Sequence, residues 1–215
     1  LDGDDTVDGS EASELILGNE GEDFLTGFAG NDSVFGGKGR DALYGNEGND
    51  CLSGGLDADF LTGDPGDDIL FAGRGNDLLG GGEGNNTLVG GLGRDLLNCE
   101  LGNNLCILGI DPATTDINSS DWITRFSPDF DRIGLASDLT VNDIVLELLQ
   151  NVTVTVRFDF PQALQAFFPP AFLSGISGVY SGTLIRVKNS NAILGFVEDV
   201  TPNELQSRIV SVQGF

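Results

Sequence analysis

Acidic residues recur at every ninth position in the first half of this 215-residue chain. With Gly36 numbered as position one of its phrase, position six is a carboxylate or its neutral amide analogue in twelve consecutive phrases, without an insertion. These residues are Asp5, Glu14, Asp23, Asp32, Asp41, Asp50, Asp59, Asp68, Asp77, Asn86, Asp95 and Asn104. Oxygen ligands suit the hard cation Ca²⁺, which accepts about 6–8 oxygens in a tolerant geometry. The spacing therefore predicts a row of calcium sites.

Glycine recurs in the same register and offers further oxygen ligands from the backbone. Position four is glycine in ten of the twelve phrases. Glycine suits a loop with positive φ, which turns its backbone carbonyls toward one point. We therefore expect carbonyl ligands from Gly21, Gly30, Gly39, Gly48, Gly66, Gly75, Gly84 and Gly93.

Position eight holds the side chains that must support these loops. It is a large aliphatic residue from Val7 to Leu97 and a cysteine, Cys106, in the last phrase. In a three-residue strand the middle side chain points to the opposite face from its neighbours, here inward. A repeat of fixed period indicates a solenoid. Two phrases give one turn, so the twelve phrases predict six turns stacked at roughly 4.8 Å into a rod about 30 Å long.

The phrase has the consensus G-G-x-G-x-D-x-U-x, where U is a large aliphatic residue; residues 72–80 and 45–53 show it well. It resembles the RTX (repeats-in-toxin, haemolysin-type) calcium-binding nonapeptide family of secreted bacterial proteins, over about half of the chain. The resemblance implies an all-β fold, a right-handed parallel β-roll, with each ion held between the loops of successive turns.

Alternate phrases fall on opposite edges of such a roll. The first edge carries Asp5, Asp23, Asp41, Asp59, Asp77 and Asp95. The second edge carries Glu14, Asp32, Asp50, Asp68, Asn86 and Asn104. Ions held between phrases 18 residues apart would have five sites on the first edge and two on the second, with Glu14, Asn86 and Asn104 as weaker ligands. We expect about seven ions or more, unequally divided between the edges.

Charge separates the chain into two regions, 1–111 and 112–215. The first has 23 acidic and 4 basic residues, a net charge of −19, and 26 glycines, whereas the second has a net charge of −5. A total of −24 repels nucleic acids and anionic lipid surfaces. No apolar run approaches the roughly 18 residues of a membrane span. We expect residues 1–111 to be disordered without calcium and to fold at extracellular calcium concentrations, because binding energy becomes folding energy.

Residues 112–215 lose the nine-residue period and predict a β-rich cap with one or two short helices. The segment 121–135 resembles the one that closes RTX rolls. Residues 151–160 alternate as a strand, and 182–200 predict a hairpin. Thr201 and Glu204 form a capping-box pair before a short helix. The apolar insert 161–182 predicts either a helix-turn that covers the end of the roll or a self-association patch.

Two further features leave alternatives open. Outward positions form two apolar ladders. The first has Phe24, Ala42, Phe60, Leu78 and Leu96, and the second has Phe35, Phe71, Val89 and Ile107 beside Leu15, Ile69 and Leu105. These reflect either ordinary strand preference or surfaces that pack against the second region or another subunit. The cysteines Cys51, Cys99 and Cys106 fit no zinc or redox spacing. We expect free thiols there, with one intermolecular bridge as the alternative.

The chain has no histidine, so it lacks the Ser-His-Asp, Cys-His and HExxH arrangements, and we expect no catalysis within it. Two functions fit. The first is a calcium-binding structural module of a secreted cell-surface protein, whose rod self-assembles or binds other surface components in a layer, filament or adhesive coat. The alternative is the C-terminal calcium-binding part of a larger secreted enzyme or toxin, which in the family directs type I secretion.

Overall fold

Two parallel β-sheets form the walls of a solenoid. The computed structural model describes residues 2–108, 120–135, 139, 142, 144–156, 176–188 and 192–212. The repeats form twelve strands, two per turn: β1 Thr6–Ser10, β2 Leu15–Glu20, β3 Phe24–Ala29, β4 Ser33–Lys38, β5 Ala42–Glu47, β6 Cys51–Leu56, β7 Phe60–Thr62, β8 Ile69–Gly75, β9 Leu78–Gly80, β10 Thr87–Gly93, β11 Leu96–Asn98 and β12 Leu105–Leu108. The odd-numbered strands pair in the first sheet and the even-numbered ones in the second.

The pairing register follows the 18-residue step of two phrases. Leu43 is aligned with Leu25 on one side and with Leu61 on the other, and Leu52 lies between Val34 and Leu70 in the second sheet. These position-eight side chains have no solvent exposure and together form the main core. The predicted aliphatic ladder inside a parallel β-roll of six turns is confirmed.

Strands from the second region extend both sheets. They are β13 Asp121–Thr124, β14 Arg132–Leu135, β15 Ile144–Val156, β16 Ile176–Val187, β17 Ile193–Glu198 and β18 Ile209–Ser211. In the first sheet β13 pairs parallel with β11 and β17, and β16 and β15 complete the sheet with antiparallel pairing. In the second sheet β14 pairs parallel with β12 and β18. The predicted β-rich cap thus continues the roll.

One short helix, α1 Pro202–Gln206, closes the C-terminal end among the described residues. The Thr201 hydroxyl accepts the backbone N–H of Glu204, and the Glu204 carboxylate accepts the backbone N–H of Thr201. This reciprocal cap satisfies two amide groups that a helix start leaves without partners. Leu205 is fully buried in the main core. The predicted capping box is present.

The hairpin predicted over 182–200 is formed by β16 and β17, while its turn at residues 189–191 lies outside the described residues. The insert predicted over 161–182 ends earlier than expected. Residues 176–182 belong to β16, where they pair with β15. This stretch contains Ile176, Val179 and Tyr180, which are residue types that favour strands. Residues 157–175, including the rest of the insert and the end of the strand predicted over 151–160, lie outside the described residues.

The two outward faces differ in exposure. On the first sheet Ala42, Leu78 and Leu96 are at most 5% exposed and form a second core cluster with Trp122 and Phe196 of the C-terminal strands. On the second sheet Leu15 is 66% exposed and Ile69 42%. The first ladder is therefore a packing surface that the second region shares, whereas much of the second ladder faces solvent.

The expectation of three free thiols is wrong for two of them. Cys99 and Cys106 form a disulfide inside the roll, while Cys51 is a free thiol. Positions one and eight of the same phrase both face the interior, so both sulfurs are fully buried. Cys99 and Cys106 thus share the interior of one turn, which their individual repeat positions do not indicate.

Candidate metal sites

From Asp23 to Asn104, each position-six side chain links two successive turns through its first oxygen. Asp41 Oδ1 accepts the backbone N–H of Asp23 at 2.9 Å, and Asp59 Oδ1 accepts that of Asp41 at 2.9 Å. On the second edge Asp68 Oδ1 accepts the backbone N–H of Asp50 at 2.8 Å. The same bond recurs from Asp5 to Asp95 and from Glu14 to Asn104. The structure thus places the predicted ligands of each edge 18 residues apart in adjacent turns.

The second oxygen of these aspartates is buried and has no hydrogen-bond partner. From Asp23 onward the aspartates are at most 2% exposed. The unpartnered Oδ2 atoms belong to Asp5, Asp23, Asp32, Asp41, Asp50, Asp59, Asp68, Asp77 and Asp95. A buried carboxylate oxygen without a partner carries a large desolvation cost. A cation next to each one would remove that cost.

A position-one glycine leaves space beside the unpartnered oxygen in seven of these nine phrases. A Cβ added to Gly27 would lie 2.4 Å from Asp32 Oδ2 and 2.9 Å from the carbonyl oxygen of Gly45 in the next turn. A Cβ at Gly45 would meet Asp50 Oδ2 and the Gly63 carbonyl in the same way. A carboxylate oxygen and a carbonyl oxygen therefore border one small space that a side chain would fill. Oxygen donors of both types suit Ca²⁺, so the residues present fit the ion.

These position-one residues are not among the ligands predicted from the sequence. Their signal is present, because nine of the eleven position-one residues are glycine. Within the described part of the chain, no group of three or more acidic or cysteine side chains could hold a metal ion by itself. A site here must draw on backbone oxygens as well as carboxylates, and the position-one carbonyls are the ones that lie beside Oδ2.

Position-four glycines lie directly over one another in successive turns. A Cβ on Gly48 would lie 1.5 Å from the Gly30 carbonyl oxygen, and one on Gly39 would lie 1.8 Å from that of Gly21. Gly48 also has a φ of 138°, which side-chain-bearing residues rarely adopt. At Gly48 and Gly39, stacking alone therefore requires glycine. The assignment of the eight position-four carbonyls as calcium ligands stays a prediction.

Without a cation, burial changes the acidity of the carboxylates. Desolvation raises the pKa of Asp41 to about 7 and that of Asp59 to about 9, and repulsion from adjacent carboxylates adds to both. On the second edge the same causes raise the pKa of Asp68 to about 7. The pKa values of Asp77 and Asp95 are also raised, again mainly by burial. At neutral pH this interior needs either protons or a cation.

The weaker ligands of the second edge have other partners or no charge. The carboxylate of Glu14 accepts the hydroxyl and the backbone N–H of Ser10, and these bonds lower its pKa. Asn104 Nδ2 donates to the carbonyl of Cys99, a position-one residue, at 2.6 Å. An amide therefore occupies the place where other phrases have an unpartnered carboxylate oxygen. At Asn86 the corresponding Nδ2 atom has no hydrogen-bond partner.

Comparisons with known proteins agree with this geometry. The model of the RTX calcium-binding nonapeptide repeat matches successive, overlapping stretches that together span residues 1–106. No match was found among curated proteins. Among solved structures, the chain is similar to the AlgE6R3 subunit of the mannuronan C5-epimerase from Azotobacter vinelandii, at 19% identity and a TM-score of 0.23, covering 97% of this chain and 78% of that one. The low TM-score means that this last similarity carries no argument about function.

Proposed function

Because residues 1–106 belong to the RTX calcium-binding nonapeptide repeat family, we propose that this chain is a calcium-binding structural module of a secreted bacterial cell-surface protein. RTX repeats bind Ca²⁺, are themselves non-catalytic and are typical of secreted bacterial proteins. In this proposal the whole chain catalyses no reaction. It folds on extracellular calcium into a rigid rod.

One observation carries the proposal. The nine aspartates that the sequence predicts as ligands are the ones whose Oδ2 atoms are buried without a partner. Fully satisfied buried groups are the rule in folded proteins. A regular row of exceptions indicates a missing partner with the same period, and a row of cations between turns has that period. Five ions on the first edge and two on the second would follow this period.

Calcium would also decide whether the repeats fold. Residues 1–111 have a net charge of −19, and ordering each residue costs about 1–2 kcal/mol of backbone entropy. The aliphatic ladder offsets part of this cost, but burying charged oxygens without partners adds to it. Each ion would convert one such cost into binding energy, which then becomes folding energy.

A calcium titration followed by circular dichroism tests the proposal. We expect little β signal at micromolar free Ca²⁺ and a cooperative gain as free Ca²⁺ approaches about millimolar, the regime of extracellular calcium modules. Magnesium at the same concentrations serves as the control, since it dehydrates reluctantly and demands a stricter geometry. A β signal that persists unchanged in excess chelator would refute the proposal.

Self-association is proposed for the outer face of the second sheet. Leu15, Leu17, Phe35 and Ile69 are between 39% and 66% exposed along this face. Exposed apolar patches of this kind commonly mark interaction surfaces. Light scattering during the same titration would follow assembly, which should appear only after the β signal. A monomer at every protein concentration in saturating calcium would exclude self-association while leaving calcium-dependent folding untouched.

Within the described residues no helix is long and apolar enough to cross a membrane.

A further inference from the structure

The ladder of position-six residues continues past the repeats on the first edge. The backbone N–H of Asp95 donates to Asp121 Oδ1 at 3.0 Å, although the two residues are 26 apart instead of 18. The next bond also follows the pattern, because the Trp122 N–H donates to the Asp95 carbonyl at 2.7 Å, as the Leu96 N–H donates to that of Asp77 at 2.8 Å. Asp121 therefore takes the position-six place in a seventh turn.

The space between Asp95 and Asp121 has the features of the repeat sites. Asp95 is 1% exposed, and its Oδ2 has no hydrogen-bond partner. A Cβ on Gly90 would lie 2.5 Å from this Oδ2, so a small space borders it here as well. Asp121 brings a second carboxylate that is 4% exposed. We propose that Asp95 and Asp121 hold a further Ca²⁺, a sixth ion on the first edge whose second carboxylate lies outside the repeats; this rests on the proposed calcium binding.

On the second edge Asp131 takes the position-six place after Asn104, and its carboxylate is fully hydrogen-bonded. Asp131 Oδ1 accepts the backbone N–H of Asn104 at 2.8 Å, and its Oδ2 accepts that of Ser127 at 2.7 Å. The Asn104 amide meanwhile donates to the carbonyl of Cys99. Hydrogen bonds thus satisfy both oxygens of Asp131, and no cation is needed there. On the first edge, Asp95 stands where Asn104 stands on the second, and its Oδ2 has no hydrogen-bond partner.

An ion at Asp95 and Asp121 would hold the C-terminal strands against the roll. Asp121 begins β13, which pairs with β11 on one side and β17 on the other. The next residue, Trp122, is 1% exposed, and its ring centroid lies 4.7 Å from that of Phe196 in β17. Calcium would therefore order the packing of the second region as well as the repeats.

Trp122 is the only tryptophan of the chain, and it adjoins the proposed site, so terbium luminescence reports most strongly on this site. Tb³⁺ replaces Ca²⁺ at oxygen sites, and selective excitation of tryptophan sensitises only nearby ions. We expect strong sensitised emission from the full chain and a clear loss in Asp121→Asn, because the next ion lies one turn farther from Trp122. That variant keeps the Oδ1 acceptor for Asp95 and removes one charge.

The matched control is Asp67→Asn, which removes the same charge at an exposed position. Its Oδ1 accepts the backbone N–H of Asn85, a bond that asparagine retains. This control should keep full emission. Equilibrium dialysis with Ca²⁺ should show one ion fewer in Asp121→Asn and no change in the control.

Two results would overturn the inference. One is full sensitised emission from a folded Asp121→Asn, and the other is an unchanged calcium count in that variant. If Asp121→Asn fails to fold, Gly90→Ala replaces it, because the added Cβ meets only the Asp95 carboxylate within 4 Å at its three closest approaches. It should also lose one ion. The proposed function fails separately, through a wild-type β signal that does not depend on calcium.

Discussion

The two edges of the roll share one backbone geometry and differ in the residues at position six. The Asp77 N–H bonds to Asp95 Oδ1 on the first edge at 2.9 Å, and the Asn86 N–H bonds to Asn104 Oδ1 on the second edge at 2.9 Å. The link between turns therefore needs only a side-chain oxygen, which asparagine supplies as well as aspartate. What asparagine lacks is the second oxygen with its charge.

This difference separates two roles that one residue usually combines. Oδ1 holds successive turns together and is used on both edges. Oδ2 is the cation ligand of the proposal, and it is present at all six position-six residues of the first edge but at only three of the second. Where it is absent at Asn104, an amide bonds directly to a position-one carbonyl. The second edge thus changes along its length from proposed calcium sites to hydrogen bonds.

The largest loss of stability should come from substituting a position-four glycine, because these glycines stack in the same way on both edges. Gly48→Ala places a Cβ against the Gly30 carbonyl at a φ of 138°, and should cost about 3 kcal/mol or more of the free energy of unfolding in saturating calcium. Gly80→Ala is the control, because its Cβ would have only ordinary contacts, the nearest at 3.6 Å. Denaturant melts compare the two. Equal stability of both variants would show that stacking does not require glycine at position four.

An intermediate effect, a change in the number of bound ions, is expected from exchanging aspartate and asparagine at position six. Asp59→Asn keeps the bond to the Asp41 N–H and removes a carboxylate that two sites share, so it should lose one or two ions. Asn86→Asp adds a carboxylate beside Asp68 and should gain one. Calorimetric titration with Ca²⁺ gives both counts. The assignment of charge as the difference between the edges does not survive if Asn86→Asp folds normally and binds no additional ion.

The smallest effect should be that of acid on the calcium-free fold. Protons remove the desolvation cost of the buried carboxylates, but they add no bonds between turns. In the folded, calcium-free chain burial raises the pKa of Asp41 and Asp68 to about 7 and that of Asp59 to about 9. A raised folded pKa adds stability that is complete below the unfolded value, about 4, and is lost as pH rises through the folded value. The calcium-free β signal should therefore grow between pH 8 and pH 5.

Circular dichroism of protein freed of calcium by dialysis measures this growth, since chelators weaken in acid. The edges should differ, because Asp59 on the first edge has the highest of these pKa values. Asp59→Asn should flatten the upper part of the pH dependence more than Asp68→Asn does. A calcium-free β signal that falls on acidification would contradict the sign of the effect.

The sequence predicted the repeats almost completely, because their order is local. The positions of the core leucines, the two sheets and the pairing of acids 18 residues apart all follow from one period. The period predicts less at the C-terminal end of the repeats. Asp121 was not assigned a place in the ladder, since its separation of 26 residues from Asp95 breaks the period. The disulfide between Cys99 and Cys106 was missed because each cysteine was treated as an isolated substitution.

Taken alone, the sequence determined the period, the oxygen chemistry and the division of acids between two edges, since these depend on residue types at fixed spacing. Only the tertiary structure decided which atoms remain without partners. It divided each carboxylate into a bonded Oδ1 and an unpartnered Oδ2, and it brought Asp121 next to Asp95 across an interruption of the repeat. The physical reason is that residue type and spacing determine which oxygen atoms each side chain carries. The stacking of the turns determines which of these oxygens accept hydrogen bonds from other groups.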